Sequence, residues 1–229
     1  MIKPTRIAML FFVGMILLAS LGQATKFFAE GSTEVPQLEY KKTCWNKNFP
    51  KVDWSYCDVS GKNLNHVNLH NSNLGGINFE NTNLNKAYMI YVNLAGSNLK
   101  NAKLANTQLV GSNLSGANLS GVSGKDVNLN GVDLSNAVLS KAYLQNGYIR
   151  GANLQNANLS GANLNYAELK DSDLTGADLS NADLSMAVLT GANLSHANLK
   201  GANLKSADIL GVDLTGADLH CVGNPICIS

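Results

Sequence analysis

The chain has 229 residues, 45% hydrophobic and only 7% aromatic, with 17 basic and 16 acidic side chains. So few aromatics suit a core assembled from small repeated units better than an ordinary mixed one. Near-neutral charge leaves no basic footprint for nucleic acid, and no strongly acidic surface of the kind that imitates DNA.

In chain order, residues 1–24 read as an export signal. Lys3 and Arg6 give a positive start, and Ile7 to Leu18 is an apolar run too short to span a bilayer comfortably. Gly22-Gln23-Ala24 places small residues at the −3 and −1 positions of a cleavage site. The alternative is an uncleaved anchor, and the N-terminal signal is then the one expected membrane attachment. Without Lys3 and Arg6 the chain keeps 15 basic and 16 acidic residues, net −1, and Arg150 as its only arginine. Residues 25–43 read as a polar linker and 44–61 as a cap. Cys44, Cys57, Cys221 and Cys227 sit only at the ends of the mature chain. An even count in an exported chain favours two disulfides, with three pairings possible on paper.

From residue 62 the organising period is five. Thirty-two positions run from Leu64 to Leu219 in steps of five, and all but Gly124 carry a sizeable apolar residue. Two residues earlier the chain prefers something small, as in Ala102, Ala117 and Ala152; between them lies mostly Asn or Asp. Two residues after, 21 of the 32 positions are Gly or Asn, which tolerate turn angles. On an α-helix a step of five walks around the axis, and on a strand it alternates faces. The chain must therefore turn a corner every five residues. Four corners close a square of 20 residues, with the small residue and the leucine pointing inward.

The phrases GANLQNANLSGANL and SDLTGADLSNADL, and the frame over residues 62–221, resemble the pentapeptide-repeat family, whose pattern is A(D/N)LXX. The resemblance implies an all-β fold, a right-handed quadrilateral β-helix of about eight coils. At a strand spacing of ~4.8 Å that rod is about 38 Å long. The frame extends outward through Val59 and Trp54, although Lys62, at an inward position, marks an imperfect first coil. Residues 222–229 form a C-terminal cap. Stacking puts the cysteine pairs at opposite ends, beyond the ~7 Å Cα limit of a bridge. Cys44–Cys57 and Cys221–Cys227 are therefore expected. Around Gly124, three inward valines, Val122, Val127 and Val132, are expected to refill the missing leucine; a local bulge is the alternative.

Catalysis finds little support. His66, His70, His196 and His220 fall on different coils or corners, and GVSGKD lacks the upstream glycine and the Ser or Thr of a phosphate loop. No catalytic group, metal site or cofactor is expected. The sequons Asn113-Leu114-Ser115 and Asn158-Leu159-Ser160 follow from the repeat phrase ANLSG and specify nothing about glycosylation.

Wrapping the chain at 20 residues per coil singles out one face, centred on Leu69, Met89, Leu109, Leu129, Ile149, Leu169, Leu189 and Ile209. Its outward residues and borders include Tyr88, Ile90, Tyr91, Val110, Tyr148, Arg150, Tyr166, Met186, Val188 and Leu210, with Tyr143 on the adjoining face. The next face, centred on Leu74 and Leu94, carries only Asn or Asp before each leucine. Exposed tyrosine with one arginine is the composition of binding patches, so the face reads as one for an unknown protein partner or for self-association as a dimer. The alternatives are repeat decay, or cover from Phe27, Phe28 and Leu38 of the N-terminal segment. The expected function is an exported, non-enzymatic solenoid acting as a structural or protein-interaction module, in the bacterial periplasm, secreted, or in a thylakoid lumen. The resemblance implies a second reading, a DNA-mimicking binder of type II topoisomerase, which export and weak charge disfavour.

Overall fold

The computed structural model describes Cys44 and residues 50–228. Among them the chain forms a ladder of single parallel bridges. The first joins Asp53 to Asn73, and each later bridge links residues 20 apart as far as Asp183 and Asn203 and Asn198 and Asp218. The last, Asn203 to Val222, is one residue short. Backbone φ is positive at every fifth residue from Lys51 to Gly216, which gives four corners per coil.

The repeat 113–117 shows why five residues suffice. Asn113 N–H donates back to Val92 O (3.0 Å), and Leu114 N–H donates forward to Asp133 O (2.7 Å). Gly116 N–H reaches Ser135 O (2.9 Å), and Ala117 N–H closes the corner onto Leu114 O (3.0 Å). That leaves Ser115 N–H, which donates to Asn113 Oδ1 (2.9 Å). Every N–H of the repeat is therefore satisfied, and the Asn or Asp before each leucine exists to accept the one donor that the backbone cannot. The same amide bonds between coils where its neighbour below can accept, as Asn153 Nδ2 does to Asp133 Oδ1 (3.2 Å).

The apolar frame and the small residues two positions earlier fill the interior, and Leu74, Leu94 and Leu134 are fully buried. Trp54 and Val59 are also core, so residues 53–61 join the coil stack while closing the Cys44 loop. Lys62 keeps the ladder register but is exposed. Ile209, Leu214 and Leu219 in the last coil are only partly buried. The disulfides are Cys44–Cys57 and Cys221–Cys227, with Cα atoms 5.6 and 5.0 Å apart.

Gly124 causes no bulge, because Lys103–Ser123–Tyr143 and Gln108–Asn128 hold the 20-residue step on either side. A Cβ there would lie 3.0 Å from Leu144 Cδ2 and 3.5 Å from Val127 Cγ1. Refilling is thus the work of Val127 and of the leucine one coil on. Inward hydroxyls are mostly bonded: Thr107 Oγ1 donates to Leu84 O (2.7 Å), and Ser112 Oγ donates to Met89 O (2.9 Å). Ser97 Oγ is buried without a partner.

Candidate functional site

The four faces differ in how often they keep the turn-capping Asn or Asp. The face centred on Leu74 keeps it at every rung, from Asp53 through Asp133 to Asp213. The next loses it once, at Val138, and the one after loses it at Lys103, Ser123 and Tyr143. The face centred on Leu69 and Met89, the decorated face, loses it at five of eight rungs: Tyr88, Gln108, Tyr148, Glu168 and Val188. The N–H groups of Ile90, Val110, Lys170 and Thr190 have no side-chain cap there; Arg150 N–H borrows one from the coil below, donating to Asn130 Oδ1 (2.9 Å). Each lost bond forgoes roughly 0.5–1.5 kcal/mol of stability. Tyr88 therefore comes at the fold's expense, whereas the repeat of Tyr148 keeps the bond from Asn130, and Tyr91 and Tyr166 stand at corners.

The structure places the candidate residues as follows. Tyr88, Tyr91, Tyr148, Tyr166, Met186, Arg150 and Leu210 are exposed, and Ile90, Val110 and Val188 half-buried. Tyr143 lies on the adjoining face, bridged between Ser123 and Asn163, with its hydroxyl donating to Gln145. The apolar surface is two patches and not one long stripe. The lower holds Tyr88, Ile90, Tyr91 and Val110; the upper holds Tyr148, Tyr166, Met186 and Val188. Between them runs a polar waist, where Asn128 Nδ2 donates to Gln108 Oε1 (3.0 Å). Leu210 stands apart at the open end of the rod, 74% exposed. Cover from Phe27, Phe28 and Leu38 concerns residues outside those described.

Contacts that the sequence does not reveal order these patches. His70 meets Tyr88 edge-on, ring centroids 5.8 Å apart. Arg150 Nη2 pairs with Glu168 Oε2 at 2.6 Å, and that buried oxygen has no hydrogen-bond partner besides. Tyr91 lies over Gly111, where a Cβ would come within 2.4 Å of its Cε1. One further tyrosine, Tyr56, is 86% exposed at a corner bordering the plain face, so tyrosine is not confined to the decorated one.

Among the described residues, no group of three or more His, Cys, Asp or Glu is placed to hold a metal ion. Hydrogen bonds from His220 N–H and its ring hold Asp218 below the usual carboxylate range. At Asp173 burial pushes the other way and is outweighed by bonds from Gln155 and Thr175. These are turn caps, placed to hold the backbone.

A stack of four-cornered coils with one irregular face defines a repeat solenoid. The family model for pentapeptide repeats matches in eight copies, over residues 63–101, 93–123, 125–156, 152–191 and 182–220, and the chain belongs to that family. No curated protein matches it. Similar solved structures include HetL, a pentapeptide repeat protein involved in heterocyst differentiation regulation in the cyanobacterium Nostoc. It is 26% identical over 80% of this chain and 94% of its own, with a TM-score of 0.37. A pentapeptide repeat protein of the Arabidopsis thaliana thylakoid lumen is 39% identical over 40% of this chain and 64% of its own, TM-score 0.39. QnrB1, a plasmid-mediated fluoroquinolone resistance protein, is 21% identical over 74% and 91%, TM-score 0.49.

Proposed function

We propose that the protein is an exported, non-enzymatic solenoid, a right-handed quadrilateral β-helix, that serves as a protein-interaction module through its decorated face. The observation that carries this reading is the coincidence, on one face, of exposed tyrosines and forfeited turn caps. Substitution that costs the fold hydrogen bonds on one side, while the neighbouring side keeps all of them, fits retention for binding. Tyrosine and arginine are also the residues that anchor interfaces. The export signal and the two disulfides favour an oxidising compartment, such as the bacterial periplasm.

The test is crosslinking in the native compartment followed by identification of the captured protein. The double variant Tyr148→Asp, Val188→Asp should lose that partner while its melting temperature holds or rises, since aspartate at either position can cap the turn. Undiminished capture by the variant would remove the face from the function. Recovery of the cleaved chain from the cytosol would reject export.

A further inference from the structure

Two regularities bear on the decorated face. The first is the charge of the rod as a whole. Residues 50–150 carry 8 basic and 5 acidic side chains, net +3, while residues 151–228 carry 3 and 8, net −5. The rod is therefore polarised end to end. The second is layout. The two apolar patches lie on either side of the waist at Asn128, Asn130 and Gly131, one to two coils below it and one to three above.

Folding the face over on that waist sets tyrosines against carboxylates in one coil, while Ile90 meets Lys170 and Tyr148 meets Gln108. Turning a copy by 180° about the strand direction keeps each column of side chains on its own column and reverses the coil order. The coil of Tyr88 and Tyr91 then faces that of Glu168 and Asp171, so phenol hydroxyls meet carboxylates. Lys86 comes opposite Tyr166. Val110 comes opposite the stem of Arg150. The positive half of each rod lies along the negative half of the other.

Other self-pairings lack this match. A parallel dimer sets like halves side by side. Joining two C-terminal ends brings together two rungs that each carry Asp208, Asp213 and Asp218. We propose that a second copy of the chain packs antiparallel on the decorated face, with the two-fold axis through the Asn128–Asn130 rung. This deepens the interaction reading above and rests on it. The face offers roughly 500 Å² per copy, below the ~800 Å² of a standard interface. The dimer should be weak, micromolar, and loosened by salt.

The experiment uses the purified mature chain alone. Sedimentation velocity at low and high salt should show a concentration-dependent dimer at low salt that weakens at least tenfold at high salt. A spin label at Thr190→Cys should report a separation of about 30 Å, six coil spacings, in the antiparallel dimer. Parallel dimers, or dimers joined at their C-terminal ends, bring the two labels within roughly 15 Å, and such a distance overturns the proposal. Tyr91→Asp should weaken the dimer at least tenfold by facing Asp171 with a second carboxylate. Adding Asp171→Lys should restore it, with the melting curve as the folding control. A chain that stays monomeric at all concentrations overturns self-association. If the Tyr148→Asp, Val188→Asp variant then still loses its cellular partner, the interaction reading stands; if neither partner nor dimer depends on the face, both fall.

Discussion

Arg150 and Glu168 stand eighteen residues apart in the chain and 2.6 Å apart in space. The same diagonal recurs. His70 meets Tyr88, Gln155 Nε2 donates to Asp173 Oδ2, and Thr190 Oγ1 donates to Asp208 Oδ2 (2.9 Å). In each, the residue after an inward side chain touches the residue before the next one up. The diagonal is thus the side-chain counterpart of the 20-residue backbone step. A double-mutant cycle with Arg150→Ala and Glu168→Gln should give a coupling below ~1 kcal/mol, because the arginine is largely exposed. Raising the salt should shrink it further; a larger, salt-independent coupling would show a desolvated pair.

Corner side chains lean onto the following coil. The Tyr91 ring rests on Gly111 of the following coil, whereas a Cβ on Gly131 meets nothing within 4 Å. Both glycines have positive φ, 64° and 62°. Gly131→Ala should therefore cost only left-handed strain, ~1 kcal/mol. Gly111→Ala should cost clearly more, and removing the ring with Tyr91→Ala should bring it back to the Gly131 value. Equal melting temperatures for the two single variants would refute the lean.

Ser97 is the exception among the inward hydroxyls, buried with its Oγ unbonded. Ser97→Ala supplies the residue that the repeat prefers and removes an orphaned polar atom. It should raise stability by roughly 1 kcal/mol. Thr107→Val should lower it, because the bond to Leu84 O is lost. Denaturant midpoints of the two variants moving in the same direction would contradict this.

Gly124→Leu restores the frame in sequence but not in space. Leu144 and Val127 already occupy the volume. Overpacking should cost ~1–3 kcal/mol. A stabilised variant would reveal an internal void.

Acid should loosen the rod. Asp58, Asp173, Asp213 and Asp218 are all held below their ordinary value, each accepting bonds from residues nearby. In the unfolded chain they titrate near ~3.9. Below that pH the unfolded state binds more protons than the folded one, so their contribution is complete above it and is lost as pH falls through the folded values. The melting temperature should hold from pH 7 to about 4.5 and then drop. Asp213→Asn with Asp218→Asn should flatten the drop, since an amide oxygen caps without titrating; an unchanged profile would count against these caps.

Much of this is legible in the sequence because the apolar frame repeats with one spacing. Leu69 and Met89 stand 20 residues apart, one coil, so the alignment of Tyr88, Tyr148 and Val188 and the cysteine pairing follow from counting. What stays hidden depends on offsets between rungs. The pairing of Arg150 with Glu168 needs the diagonal, and the rest of Tyr91 on Gly111 needs the direction of lean. The waist is invisible because Gln108 and Asn128 look like ordinary repeat residues until they bond. Tyr56 escapes a frame begun at Leu64, which starts one half-coil after the ladder does.

The 20-residue step turns chain length into angle. Deleting one whole coil between Gly111 and Tyr148 would shorten the rod and leave both patches facing the same way. Deleting a single pentapeptide would swing the upper patch a quarter turn from the lower, with every residue type still in a permitted place. The protein's surface is therefore a matter of phase, which drifts without any offending residue to mark it. In the described ladder the count slips only at Asn203 and Val222, where no further coil follows to inherit the error.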